Sequence, residues 1–279
     1  MTLPRSTQIS LDATPYYHCV SRCVRRAFLC GWDTVSGKDY QHRREWIENR
    51  MHNLAEVFAL DLAAYAVMSN HYHMVLYIDK KSVDKWSLFE VIDRWQKIFK
   101  ASSLAQRYPN GDILDRCELK ALKEVALKWR ERLTDISWFM RCLNGPIARQ
   151  ANAEDQCTGR FWEGRFKSQA LLDERAPAAC IAYVDLNPIR ANMAKTPEDS
   201  DNISIQKHIR AAILGEQPKK LLPLVGSERL NMPKELPFRL DHYLELVDWS
   251  GRHLDLRKRG AITENTPPVL KRLGIPPRP

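Results

Sequence analysis

The sequence predicts an α+β fold: an antiparallel sheet of four strands with helices on one face, carrying a helical insertion and a C-terminal extension. Three observations predict it. Short runs rich in aromatic and β-branched residues alternate with longer stretches of helical spacing. Their order is strand, helix, strand, strand, helix, strand, then a further helix, which is the ferredoxin-like order. The two middle strands are separated only by Ser69 and Asn70, a connection short enough to demand a hairpin.

Residues 16–22, YYHCVSR, follow Pro15 and read as the first strand. Residues 39–58 carry Trp46, Met51, Leu54, Ala55 and Phe58 at helical spacing. Two extended runs follow, 62–68 and 71–78, and Asn70 between them tolerates left-handed turn geometry. Residues 84–133 are charged and mostly helical, interrupted by Tyr108-Pro109-Asn110-Gly111. A helix is predicted over 138–153, kinked or split by Gly145-Pro146. Residues 161–172 hold the fourth strand, and 174–187 a helix stopped near Pro188. Beyond residue 196 the chain turns polar and Pro-rich, with a short amphipathic piece at 240–249. Residues 252–278, basic and Pro-rich, read as a tail or a loosely packed appendage. The expected organisation is therefore a domain over 1–195, with a helical insertion around 80–137, and an extension over 196–279.

Composition narrows the partners. Of 279 residues, 43 are Lys or Arg and 34 Asp or Glu, and the formal net charge of +9 favours a polyanion, nucleic acid ahead of anionic lipid. No apolar run approaches the ~18 residues of a membrane span, and the N-terminus has no apolar signal core, so membrane and secretion readings are weak. Seven scattered cysteines, odd in number and without a CxxC pair, suit reduced thiols in a cytoplasm. His18, Cys19 and Cys23 are conceivable zinc ligands, but no second pair answers them at zinc-finger spacing. Cys19 and Cys23 read more simply as small apolar strand residues.

Three constellations carry candidate chemistry. In His71-Tyr72-His73, strand alternation sends both imidazoles to one face, where they can share a cation, while Tyr72, Met74, Leu76 and Ile78 pack on the other. Such a pair alone also arises from core packing. Tyr183 and Asn187, four apart, share a helix face. A phenol, with its free pKa of ~10, is far from ionised at neutral pH, and a tyrosine nucleophile needs roughly 4 kcal/mol from a nearby cation or base. Alone, Tyr183 also reads as a half-buried helix aromatic and Asn187 as a cap before Pro188. Residues 159–168, GRFWEGRFKS, interleave Arg and Lys with aromatics, a pattern that pairs with phosphates and stacks on unpaired bases. Its Trp162 and Phe166 equally suit a core.

Four blocks in order resemble the IS200-like HUH single-tyrosine transposases, specifically the tyrosine transposases associated with repetitive extragenic palindromes. They are Tyr17-His18-Cys19-Val20-Ser21-Arg22, the run from Tyr65 to His73, the run from Gly159 to Phe166, and Tyr183-Val184-Asp185-Leu186-Asn187-Pro188-Ile189-Arg190-Ala191. The likeness covers roughly residues 14–195. It implies cleavage and rejoining of single-stranded DNA beside a hairpin, through a 5′-phosphotyrosine that leaves a free 3′-OH. It further implies Tyr183 as nucleophile, and Mg²⁺ or Mn²⁺ held by His71, His73 and Asn187. Arg160, Trp162, Arg165, Lys167 and Arg190 are the expected DNA contacts. Ser69 stands where many relatives have Pro, and Asp185 where many have His; the segment between Ile78 and Trp138 is longer than in compact relatives. The alternatives are a domesticated hairpin-binding protein without turnover and a metal-dependent phosphodiesterase that uses water. A homodimer, with the tyrosine helix serving either its own site or its partner's, stays open.

Overall fold

The computed structural model of the chain describes residues 9–24, 29–33, 37–173, 175–224, 236, 239–253 and 259–275. In chain order β1 (Tyr16–Arg22) leads to a two-residue ribbon, β2 (Trp32–Asp33) and β3 (Lys38–Asp39), then to α1 (Arg43–Val57), β4 (Leu60–Val67) and β5 (His71–Ile78). The helices α2 (Lys80–Val83), α3 (Leu88–Gln96), α4 (Ser103–Arg107), α5 (Arg116–Arg132) and α6 (Ile136–Glu154) follow. After β6 (Lys167–Ala170) come α7 (Ala176–Asp185), α8 (Asn187–Arg190), α9 (Ser204–Leu214), α10 (Leu240–Arg252) and α11 (Val269–Arg272).

The main sheet has the order β4-β5-β1-β6 and is antiparallel throughout. This mixed α+β architecture is the predicted class. Alternation along each strand feeds two separate cores. On one face Tyr17, Cys19, Tyr72, Met74 and Leu76 pack with Ile47 and Met51 of α1 and with Phe139, Leu143 and Ile147 of α6. The insertion joins this core through Ile92, Trp95, Leu122 and Trp129, with Trp95 and Trp129 stacked at 5.2 Å. On the other face Ala64, Ala66, Val75 and Tyr77 meet Ile181 and Val184 of α7, Ile205 and Ile209 of α9, and Tyr243, Leu244 and Val247 of α10. The two alanines present little side chain, which suits close approach of α7 to β4.

Three expectations change. Helices cover both faces of the sheet, not one, because α7, α9 and α10 bury the second face. Of the segment read as a loose appendage, residues 259–275 are packed onto the domain. Ile262, Val269 and Leu270 are buried, and the Arg272 guanidinium bonds Glu198 and Asp248 at 2.5 and 2.9 Å. Pro146 does not split its helix, since α6 runs unbroken through it. Proline cannot donate to the carbonyl four residues back; the Cys142 carbonyl takes a hydrogen bond from Arg50 Nε at 2.7 Å instead. The helix expected to stop near Pro188 does so: α7 ends at Asp185, and after Leu186 the short α8 takes Pro188 in its first turn, where the missing N–H costs no hydrogen bond.

Candidate active site

The site is built on the sheet face that α7 covers, from β1, β5, β6 and the α7–α8 junction. Pairing β1 with β5 sets Arg22 opposite His71 and Val20 opposite His73. Pairing β1 with β6 sets Val20 opposite Lys167 and His18 opposite Gln169. Paired residues point to the same side of a sheet, so one face carries His71, His73, His18, Arg22 and Lys167. The polar face survives here because the apolar set of β5, Tyr72, Met74, Leu76 and Ile78, is spent on the opposite core.

His71 and His73 have ring centroids 4.8 Å apart. His71 Nδ1 contacts the Asn70 Oδ1 at 2.6 Å, and His73 Nδ1 contacts His18 Nε2 at 3.0 Å. The His18 and His73 rings lie within 12° of parallel with centroids 5.2 Å apart. A nitrogen contact of 3.0 Å plus the two ring radii accounts for that separation, so the rings meet edge to edge in a shared hydrogen bond and not face to face. Burial pushes His71 down to about 4, helped by the Arg22 charge. Burial, then His71, His18 and Arg22, push His73 down to about 3, and burial lowers His18. All three rings are therefore neutral near pH 7, the form that offers a lone pair.

Tyr183 lies on the one exposed stripe of α7; Ile181, Ala182, Val184 and Asp185 around it are buried. Its ring stands edge-on to His73 at 5.9 Å and to His18 at 6.1 Å, and is 39% exposed. The tyrosine helix thus lies beside the histidines of its own chain. The Arg190 guanidinium sits 4.7 Å from the Tyr183 ring centroid. Asn187, one turn after Tyr183, is buried, and its Nδ2 has no hydrogen-bond partner; the buried Nε of Arg190 also lacks one. A buried amide without a partner is costly, and a ligand at this point would relieve the cost.

Asp185 anchors the tyrosine helix from beneath. It is fully buried and accepts hydrogen bonds from Ser204 Oγ of α9 and the Tyr243 hydroxyl of α10. Burial raises its carboxyl to about 7, against the opposing pull of those hydroxyls.

No family model and no curated protein matches this chain. Among solved structures it is similar to a tyrosine transposase, described as REP-associated and bound to a REP hairpin, over 86% of this chain and 99% of that one, with 11% identity and a TM-score of 0.44. At that identity and score the likeness carries nothing about chemistry. Among the described residues, no helix is long and apolar enough to cross a membrane.

The structure thus brings His71, His73, Tyr183, Arg190 and Lys167 to one face. Arg165 is exposed on the connection before β6, and Arg160 is exposed and folds back so that Nη1 donates to the Glu163 carbonyl at 3.2 Å. Trp162 departs from its expected stacking role. Its Nε1 donates to the Asn144 carbonyl at 2.8 Å and its ring packs edge-on to Tyr72 at 5.6 Å, so the indole belongs to the α6-side core. The zinc reading of His18, Cys19 and Cys23 also fails, because Cys19 and Cys23 are buried in that same core while His18 points to the other face. Sequence reasoning missed His18, Asn70 and Arg22 as members of the site. Alternation alone puts His18 and Arg22 on one face of β1, but which strand lies beside β1 is a long-range fact.

Proposed function

We propose that this chain cleaves and rejoins single-stranded DNA near hairpins, with Tyr183 as the nucleophile. The observation that carries the reading is the Tyr183 ring set 5.9 Å from His73, on the sheet face that also holds His71, with Arg190 over it. The motif resemblance supports the same assignment.

Two imidazoles suit a divalent cation such as Mn²⁺ better than Mg²⁺, which prefers oxygen; that the ion is Mg²⁺ or Mn²⁺ follows from the motif resemblance. His71 and His73 each have Nδ1 engaged and leave Nε2 to bind, and both are neutral. The unpartnered Asn187 Nδ2 is a donor that suits a phosphate oxygen, so Asn187 would reach the cation through its Oδ1. Among the described residues no three His, Cys, Asp or Glu side chains are arranged to hold a metal. His71, His73 and Asn187 would hold the ion, with phosphate oxygens and water completing its shell. When bound, the ion polarises the scissile phosphate and draws charge from the attacking phenol.

The remaining chemistry belongs to the chain. Tyr183 Oη gives up its proton to solvent and attacks the phosphorus, an Oη–P bond forms, the P–O3′ bond breaks, and the 3′ oxygen takes up a proton from solvent and leaves as a hydroxyl. Attack of a 3′-OH on the phosphotyrosine reverses the step, so the bond energy is conserved and no ATP is needed. Arg190 holds the phenol ring and offers positive charge to the phosphate. Arg22, Lys167 and Arg165 neutralise flanking phosphates. The extension over 196–279 braces the tyrosine helix through the Ser204 and Tyr243 bonds to Asp185. Incubation of the full chain with a labelled single-stranded hairpin and Mn²⁺ tests the reading. It predicts a denaturation-resistant protein–DNA band with wild type and none with Tyr183→Phe. Cleavage without such a band would instead support attack by water.

A further inference from the structure

We infer that His18 and Asn70 are positioning residues that fix which nitrogen each of His73 and His71 presents to the cation; this rests on the cation site proposed above. A neutral imidazole carries one proton and one lone pair, and which nitrogen holds the proton is decided by the partner of the other. The Asn70 side-chain oxygen can only accept, and it lies 2.6 Å from His71 Nδ1. The His71 proton is therefore on Nδ1 and its lone pair on Nε2.

His73 has no carbonyl or carboxylate at its Nδ1; it has another imidazole, His18, at 3.0 Å and nearly coplanar. One proton fits between the two nitrogens. Placed on His73 Nδ1, it leaves Nε2 of His73 free to bind, matching His71, and makes His18 the acceptor through Nε2. Placed on His18 instead, it forces the His73 proton onto Nε2 and blocks that ligand. The two histidines are thus equivalent toward a cation only when His18 accepts.

This also explains why His18 is not a third ligand. Its Nε2 is occupied by His73, and the three rings do not converge on a shared point. Its other consequence is rigidity. The hydrogen bond ties β1 to β5 across the sheet and holds the His73 ring at a fixed rotation, while Asn70 does the same for His71 from the hairpin turn. Outer partners of this kind typically change metal affinity by roughly 10–100-fold when removed.

Two measurements on the full-length protein test the inference. Free Mn²⁺ is followed by electron paramagnetic resonance during titration of wild type, His18→Ala, His18→Gln, Asn70→Ala, His71→Ala and His73→Ala. The inference predicts roughly 10–100-fold weaker Mn²⁺ binding for His18→Ala and Asn70→Ala, and recovery of most of that loss in His18→Gln, whose amide oxygen can accept the same proton. In parallel, nitrogen-15 NMR of the metal-free wild type at neutral pH should find both His71 and His73 protonated at Nδ1. This arm does not depend on a variant that folds. Wild-type Mn²⁺ affinity in His18→Ala and Asn70→Ala, with loss in His71→Ala and His73→Ala, overturns the positioning role and leaves the cation site standing. A proton found on His73 Nε2 overturns it equally. Unchanged Mn²⁺ binding in His71→Ala and His73→Ala removes the cation site itself, and the inference with it.

Discussion

The Arg190 guanidinium lies 4.7 Å from the centroid of the Tyr183 ring, although α7 ends and α8 begins between the two residues. A cation over a phenol ring is worth about 0.5–2 kcal/mol, depending on its desolvation. The same contact fixes the ring relative to His73. Arg190→Ala should therefore slow formation of the covalent DNA adduct by about tenfold, corresponding to ~1.4 kcal/mol of barrier. Arg190→Lys should recover little of this, since an ammonium lacks the planar face that lies on the ring. Single-turnover adduct kinetics distinguish the three proteins.

Pro146 and Arg50 form a compensating pair. Removing Arg50 leaves the Cys142 carbonyl without its donor inside the α6-side core, at a cost of about 1–3 kcal/mol. Replacing Pro146 by Ala restores an N–H four residues on, which can take over that carbonyl. Arg50→Ala should thus be clearly less destabilising in a Pro146→Ala background. A double-mutant cycle of urea midpoints measures the coupling, and simple additivity would contradict this account.

Asp185 makes stability depend on pH in an unusual direction. Its carboxyl is raised to about 7 in the fold, against an ordinary value of 3.8. Between those values the folded chain keeps a proton that the unfolded chain has lost. The contribution of this group is therefore full below pH ~4, falls by up to about 1.4 kcal/mol per pH unit as pH rises, and is exhausted above pH ~7. Asp185→Asn cannot titrate and keeps an acceptor for one of the two hydroxyls, Ser204 or Tyr243, while presenting an N–H donor to the other, a fixed cost that does not vary with pH. The stability difference between wild type and this variant, measured by thermal melts from pH 4 to 8, should shift steadily against wild type as pH rises.

Exposed Arg165 and Lys167 are predicted to touch phosphates and not bases. Each alanine substitution should weaken hairpin binding uniformly across sequences and reduce the slope of log affinity against log salt by ~1. Trp162→Ala should act differently, lowering protein stability through the lost packing on Tyr72, with little change in salt dependence.

What the sequence made legible was local. The apolar and polar faces of β5 follow from strict alternation, so the shared side of His71 and His73 could be read directly, as could the hairpin at Ser69-Asn70. The role of His18 could not, because it depends on β1 lying beside β5 in a particular register. Helix α9 was hidden by the polar, Pro-rich chain around it; α10 could be read as an amphipathic piece at 240–249, but not its place, because the burial of both depends on a sheet face whose small residues, Ala64 and Ala66, carry no strong signal. Trp162 misled because an aromatic between arginines suits both a base stack and a core. Only the Asn144 carbonyl, supplied by a distant helix, decides between them. Likewise Pro146 reads as a helix breaker until Arg50 is seen beside it.

Protease digestion and mass spectrometry of the DNA-linked protein test the central claim most directly. After trimming of the bound DNA, the account predicts a nucleotide mass on the peptide containing Tyr183, assigned to that residue by fragmentation. A nucleotide attached to any other side chain, or metal-dependent cleavage with every tyrosine unmodified, would contradict it.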